Sequence, residues 1–414
     1  MPVSEEVAAS VAEAHRHHWA FVLAATARVA TDLDAAEEAV QEAYAAALST
    51  WDRRGTPRNP AAWLTTVARR RALDLRRRAD VARRALPDLL PADEQDALDR
   101  EASDFPDDRL RLVFSCCHPA LSEQDRVALS LRLVCGLSTR DVARVFLVPE
   151  PTMAARITRA KKKIAVARIP YRVPAPADLP ARLDSVLAVV HLVYTTGHTA
   201  SSGSDLMQRG LAARGIELAR MLRTLLPHNA DVGGLLALVL LTDARRAARL
   251  DRDGGPVMLS EQNRDLWDRA AIDTGLGLLR AALERGDPGR FTLMAAIAAV
   301  HDQSAAWTDT DWEQILGLYS ILADVWPSPV VDLNRAIALG FARGPETGLA
   351  ELDRLAGDPQ LAGYGYLAAA RGDFLERLGR VEEARTAYEE AVLLTANDAE
   401  RSHLGQRLAA LAGR

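Results

Sequence analysis

Apolar residues recur at three- and four-residue spacing along most of the chain, which places them on one face of successive helices. Val7, Val11, Ala14, His18, Phe21, Val22 and Ala25 define a first helix. A second carries Asp34, Glu37, Glu38, Gln41 and Glu42 on one side and Ala36, Val40, Ala43, Ala47 and Leu48 as its apolar stripe. Trp51 ends it, and the run DRRGTPRNP is a loop by its Gly, Pro and Asn content. Pro60 then opens a third helix through WLTTVARRRALDLRRR, with proline in the first turn where its missing N–H costs nothing.

Further along, Ser122 caps a helix containing Val127, Leu129, Leu131 and Leu133. Ser138, with Asp141 three residues on, is a capping box opening a short helix. Leu147–Glu150 makes a turn, and Pro151 begins a helix with Met153, Ile157, Ala160 and Ile164 facing inward. This is a helix-turn-helix pattern whose outer face shows Thr152, Arg156, Arg159, Lys161, Lys162 and Lys163. Such a helix is built for recognition, with an apolar spine on its domain and bases and phosphates on its free side.

Composition narrows the classes. Ala, Leu and Arg dominate while aromatics are 5% of the 414 residues, which favours helix over strand. At this length two or three domains are expected. The apolar run Leu235–Leu241 is far short of the roughly 18–20 residues a membrane span needs. Glu5 and Glu6 stand where a secretory signal would carry Lys or Arg. Three cysteines make no disulfide framework, so the cytoplasm is the expected compartment. Cys116, Cys117 and His118 are contiguous and do not have metal-ligand spacing; no metal or other cofactor is expected, and His15, His17 and His18 read as a solvated face.

The net charge of −5 hides an uneven distribution. Residues 1–172 carry 27 Lys and Arg against 24 Asp and Glu, a net of +3; residues 173–414 carry 24 against 32, a net of −8. Val67–Arg84 holds eight Arg, and Arg156–Arg172 holds seven basic residues with no acid, including all three lysines of the protein. Between them Leu86–Asp108 has nine acids and one Arg. Two basic units joined by an acidic linker suit a polyanion partner, which the whole-chain charge conceals.

These segments resemble a known family. DLDAAEEAVQEAYAAAL with PRNPAAWLTTVARRRALDLRRR is similar to region two of the bacterial sigma-70 family, and LSEQDRVALSLRLVCGLSTRDVARVFLVPEPTMAARITRAKKKI to its region four. The order, short linker and lack of region three resemble extracytoplasmic-function (ECF) sigma factors. YTTGHTASSG, AAIAAVHD, DWEQILGLYSIL, PSPVVDLNRAIA and LGRVEEARTAYEEA resemble the long C-terminal extension of one ECF subgroup.

The resemblance implies a specificity subunit that delivers RNA polymerase core to promoter DNA. Asp34, Glu38, Gln41 and Glu42 would dock on the clamp helices of the polymerase largest subunit, although these carboxylates also suit a plain solvated face. Region four would meet the flap of the second-largest subunit. The loop Gly55–Pro60, with Arg58 and Asn59, leading to Trp63, would capture a flipped −10 base, a step costing a few kcal/mol of unstacking. Trp63 can equally be core. Arg69, Arg70, Asp74, Arg76 and Arg77 would line the −10 element, and Thr152, Arg156, Arg159 and Lys161–Lys163 would read the −35 element in the major groove. One departure is Leu147, where many turns of the wider family have Gly; a left-handed Leu there costs roughly 1 kcal/mol.

The expected layout is all-α: region two at 1–85, an acidic linker at 86–108, region four at 109–172, a Pro-rich linker at 173–180 and a helical, tetratricopeptide-like regulatory domain at 181–414. Ala336 and Ala370, and Ala350 and Ala384, are each 34 residues apart, the period of stacked helix pairs whose concave face binds a peptide or protein. A small ligand is a further possibility for this domain, and His198, Ser201 and Ser202 either line a pocket or form a loop or cap. No phosphate loop, nucleophile elbow or paired-His motif points to an enzyme. Two other readings stay open: a helix-turn-helix repressor or activator with a sensory domain, and an RNA-binding tetratricopeptide scaffold.

Overall fold

In a computed structural model, the structure describes residues 4–85, 108–146, 148–199, 209–252 and 255–411. The linker at 86–107, Leu147, Ser201 and Ser202 lie outside the described residues. Among the described residues the chain is helical, with β structure limited to isolated bridges such as Leu250–Pro256. It divides into two compact units, Met1–Val189 and Val190–Arg414.

The first unit opens with α1 (Glu5–Ala27), α2 (Leu33–Arg54) and α3 (Pro60–Ala85) packed as a three-helix bundle. Each begins on a side-chain cap that satisfies an orphan backbone N–H: Ser4 Oγ accepts from Val7 N, Asp32 Oδ1 from Ala35 N at 2.8 Å and Asn59 Oδ1 from Ala62 N at 3.0 Å. Val22, Leu23, Val40, Ala47, Trp51, Leu64 and Ala68 form the core. The expected stripe of α1 is buried at Val7, Val11, Ala14, Val22 and Ala25, whereas His18 is half-buried and Phe21 is 43% exposed; Trp19 is buried beside it.

Four more helices follow in the same unit: α4 (Asp108–Cys116), α5 (Glu123–Leu129), α6 (Thr139–Val145) and α7 (Glu150–Val166). Ser138 caps the short helix as expected, its Oγ accepting from Asp141 N at 3.1 Å. Asp141 Oδ2, however, accepts from the Ser138 hydroxyl at 2.6 Å rather than from its backbone N–H, so the reciprocal half of the expected capping box is replaced by a side-chain bond. Met153, Ile157, Ala160 and Ile164 are all buried. Helix α5 runs into a π turn, Ser130–Val134, whose Cys135 N donates to Ser130 O at 2.9 Å. The widened turn precedes Gly136, which has φ +71° and whose absent Cβ would lie 2.8 Å from Trp19 Cγ. Only glycine meets both demands. The charge pattern suggests two units separated by a linker, yet both helix groups belong to one compact unit.

The unit boundary falls inside α8 (Leu179–His198), further along than the expected linker at 173–180. Arg182 shows why: its Nη2 donates to Phe114 O of α4 at 2.8 Å, so the start of α8 belongs with the helix-turn-helix group.

In the second unit, α9 (Arg209–Leu225) and α10 (Ala230–Ala244) precede α11 (Arg269–Leu283) and α12 (Arg290–Gln303). Helix α10, the apolar run of the sequence, is buried from Val232 to Leu241 between α11 and α12. A Cβ on Gly234 would run into Thr292, so glycine sets that crossing. Then α13 (Trp312–Val325), α14 (Pro329–Arg343), α15 (Pro345–Leu355), α16 (Gly365–Arg377), α17 (Val381–Leu394) and α18 (Asp398–Leu411) stack each on the next.

The repeat is real but its register is not 34 residues. Starts advance by 36, from Pro329 to Gly365 and from Pro345 to Val381. Ala336 and Ala384 are fully buried, while Ala370 is half-buried and Ala350 exposed. The 34-residue matches therefore join positions that face different ways.

Asp302, on α12, is buried with its carboxylate 3.5 Å from Arg245 Nε, and neither oxygen accepts a hydrogen bond among the described residues. Burial pushes its carboxyl up to about 6, against the pull of Arg245, Arg264 and Arg269. An unfolded Asp titrates near ~3.9, so the ionised form is disfavoured by folding. The resulting destabilisation grows as pH rises from about 4 to about 6 and is constant above that. Asp302→Asn should therefore stabilise the second unit at pH 7.5 by about 1–3 kcal/mol, with a smaller gain at pH 5. Thermal melts of both proteins across this range check it; a difference independent of pH would refute it.

Candidate nucleic-acid interface

Helix α3 buries Leu64, Ala68 and Ala72, which leaves Arg69, Arg70, Arg76 and Arg77 exposed on its outer side. Asp74 sits among them, 3.8 Å from Arg77 Nη1. Arg71 turns the other way: its Nη2 donates to Glu42 Oε1 on α2 at 2.8 Å, and that hydrogen bond raises the guanidinium pKa further. Glu42 is thus engaged within the bundle.

The loop before α3 divides its residues by role. Arg58 is exposed, whereas the Asn59 carboxamide oxygen is occupied as the α3 cap. Trp63 is half-buried and stands edge-on to the buried Trp51, with ring centroids 5.6 Å apart. It is therefore part packing residue and part surface.

On α7, Thr152, Arg159, Lys162 and Lys163 are exposed as the helix pattern requires. Arg156 is half-buried, its guanidinium 5.5 Å from the Phe146 ring centroid, and this cation–π contact orients it along the helix. Lys161 does not belong to the exposed set. Its side chain is 9% exposed and its Nζ lies 2.7 Å from Asp34 Oδ1 and 2.5 Å from Glu37 Oε2. Burial works against its ammonium, but Glu37 and Asp34 outweigh that and raise its pKa. With Ala160 and Ile164 buried on the inward face, Lys161 lies at its edge, where Asp34 and Glu37 can reach it.

The acidic side of α2 is likewise partly occupied. Glu38 is exposed. Asp34 holds Lys161, Gln41 Nε2 donates to Glu37 Oε1 at 3.1 Å, and Glu42 holds Arg71. Glu37, which the sequence places with the acidic side of this helix, is instead buried: it is 6% exposed and paired with Arg132 as well as Lys161. Arg132 also donates to Leu137 O at 2.8 Å and lies over the Trp19 ring. Trp19 Nε1 in turn donates to Leu133 O at 3.0 Å. Glu37 carried one signal, its place beside Ala36 and three before Val40 in the apolar stripe.

No group of three or more His, Cys, Asp and Glu that could hold a metal gathers among the described residues. Cys116 and Cys117 are buried, and burial pushes their thiols up, Cys117 to about 11. In the second unit His198 is tied into a corner: Tyr194 Oη lies 3.0 Å from its Nδ1, and Arg249 donates to its carbonyl and to Thr199 Oγ1. Burial, then Arg249, pushes its imidazole down to about 2, so the ring is neutral. Two open grooves lie in the repeat. One of about 400 Å³ is lined by Glu313, Arg335, Leu339, Arg343 and Glu351; the other, about 220 Å³, by Asp353, Arg371, Leu375, Arg380 and Glu383. Arg335 and Arg371, and Leu339 and Leu375, are equivalent in the 36-residue register. No helix among the described residues is long and apolar enough to cross a membrane.

Comparison with known proteins agrees with this geometry. Residues 15–82 match Sigma-70 region 2, residues 111–164 match Sigma-70, region 4, and residues 182–283 match a family of unknown function, DUF6596. An uncharacterized protein of Rhizobium meliloti (strain 1021) is 41% identical over 395 residues, covering 94% of this chain and 93% of that protein. The paired arginine helix and helix-turn-helix, in this order and followed by a DUF6596 domain, place the chain in the sigma-70 family of transcription initiation factors, as an ECF-like sigma factor with a C-terminal extension.

Proposed function

We propose that the protein binds RNA polymerase core, recognises promoter −10 and −35 elements, and starts transcription of a specific set of genes, with its second unit modulating that activity in cis. The observation that carries this reading is the pair of exposed basic faces in one unit, Arg69, Arg70, Arg76 and Arg77 on α3 and Arg159, Lys162 and Lys163 on α7, the latter beside the exposed Thr152 and the half-buried Arg156. Arginine forks onto phosphate and guanine edges, and these positions are free of the apolar core. Arg58 and the flat face of Trp63 would receive a −10 base taken out of the stack, where aromatic stacking is worth about 1–3 kcal/mol. Glu38, with the carboxylates around it on α2, would meet the clamp helices of the largest polymerase subunit, and the helix-turn-helix group the flap of the second.

The second unit offers grooves of mixed charge, which suit a peptide or protein carrying both signs better than nucleic acid. A sensory helix-turn-helix repressor would have no use for the arginine face of α3, and an RNA scaffold no use for sequence readout by α7.

Run-off transcription with core polymerase and a promoter library tests the reading: specific initiation is expected, and its absence would sink it. Arg159→Ala should weaken promoter binding by about 1–3 kcal/mol and relax preference within the −35 element alone, whereas Arg76→Ala should weaken all sequences and lower the salt slope by about 1. Equal weakening of every nucleic acid by Arg159→Ala would favour the RNA-scaffold alternative. Truncation after His198 keeps Arg182 on its partner; it should alter transcription while leaving promoter preference intact, and a truncated chain of unchanged activity would refute regulation in cis.

A further inference from the structure

Arg156 is held differently from the other cations of α7. Lys161 is committed to Asp34 and Glu37, and Arg159 turns back along the helix so that its Nε donates to Ala155 O at 3.3 Å. Lys162 and Lys163 are exposed. Arg156 is half-buried, with its guanidinium over the ring of Phe146 across the turn, 5.5 Å from the centroid. Among the described residues no carboxylate or carbonyl accepts from it.

The kind of contact decides what the side chain can do next. A carboxylate or carbonyl that orients an arginine takes up some of its five N–H donors, whereas an aromatic face attracts the cation through its quadrupole and offers those donors no lone pair. Arg156 is therefore oriented while its planar fork stays uncommitted, the state that bidentate bonding to guanine O6 and N7 requires. It also lies on the right stripe: Thr152, Arg156, Arg159 and Lys163 follow at intervals of four, three and four residues and share one side of the helix.

Phe146 is fixed well enough to orient a neighbour. It is the C-cap of α6, where its N donates to Val142 O at 3.2 Å. Two residues on, Val148 N donates to Ala143 O at 3.1 Å, and Val142 and Ala143 are both buried. The backbone on either side of the ring is thus pinned to the core side of α6, and the ring itself is half-buried.

We propose that Phe146 is a positioning residue for sequence readout: its ring holds the Arg156 guanidinium, donors free, in the direction from which the fork meets one base pair of the −35 element. The inference rests on the assignment of α7 to that element under Proposed function. A freely rotating arginine loses its rotamer freedom on binding, which weakens the complex; Arg156 loses part of that freedom on folding instead. The gain is confined to one base pair, because only a correctly placed guanine offers both acceptors to the fork. Phe146 contributes no charge to the phosphates, so affinity for non-promoter DNA does not depend on it.

The test measures binding of the full-length chain, assembled with core polymerase, to a promoter library randomised across the −35 element. Arg156→Ala identifies the base pair at which preference is lost. Phe146→Leu keeps an apolar side chain and removes the ring. It should lower the preference at that same base pair by about three- to thirtyfold, the range of a cation–π contact, and leave other positions and non-promoter DNA unchanged. Phe146→Tyr keeps a π face and should restore the preference, and Phe146→Leu should have no further effect in an Arg156→Ala background. A loss spread over the whole element, no rescue by Phe146→Tyr, or an equal loss in the Arg156→Ala background overturns the role of Phe146 and leaves the sigma reading intact. So does a Phe146→Leu protein with unchanged preference. Should Phe146→Leu not fold, pentafluorophenylalanine at the same position, which keeps the shape and reverses the ring quadrupole, makes the same distinction. If Arg156→Ala relaxes no base pair, the readout assigned to Arg156 and the role of Phe146 fall together.

Discussion

Glu37 is a carboxylate taken out of water in the middle of a helical unit, and much of the first unit's geometry answers to it. An ionised carboxylate at that depth is costly unless charges and hydrogen bonds meet it. Arg132, Lys161 and the Gln41 carboxamide supply these from three directions. Removing one partner of such a buried pair typically costs about 3–5 kcal/mol, far more than an exposed pair contributes. The requirement fixes which lysine of the basic run turns inward and brings Arg132 over Trp19. It also closes the first three helices on the next four. The widened turn at Ser130–Val134 and the side-chain-free Gly136 give Trp19 room to lie flat against the second group.

The exposed ion pairs of the second unit work differently. Arg380–Glu383, Arg354–Glu351 and Arg377–Asp373 are neighbours on single helices. Such pairs support helix formation by a few tenths of a kcal/mol and are screened by salt. They do not choose which helix packs on which. That choice is made by small residues: Gly234 under Thr292 sets the crossing of α10 and α12, and the buried Ala336 and Ala384 set the stacking of the repeat. Arg407 is an exception, gathering Asp373, Glu376 and Tyr388 and so tying the final helix to the pair before it.

The net charge also has a structural meaning. The excess of positive charge at 1–172 and of negative charge at 173–414 is a property of segments. Within the first unit some charges nonetheless pair across helix groups, as at Lys161–Asp34 and Arg28–Asp108, and others within the bundle, as at Arg71–Glu42. A basic protein surface is therefore not the sum of its basic residues. Helix rotation leaves exposed Arg69, Arg70, Arg76 and Arg77 on one helix, and Arg159, Lys162 and Lys163 on the other.

The helices, the Ser122 and Ser138 caps and the inward spine of α7 were legible because they are local: a Ser cap needs only the next three residues, and a 3.6-residue period needs only the next two turns. The basic faces followed from the same period. The roles of Trp19, Glu37, Arg132 and Lys161 were not legible, because each depends on a distant partner, up to 127 residues away for Lys161 and Asp34. Spacing alone cannot say that an acid in an apolar stripe has found two cations. Nor could it set the repeat at 36 residues, since alanines 34 apart look alike in one dimension while only packing shows which of them is buried. Local periodicity determined the elements and their faces; the tertiary structure alone decided which faces close on one another, because burying a charge is permitted only where the fold brings its counter-charges.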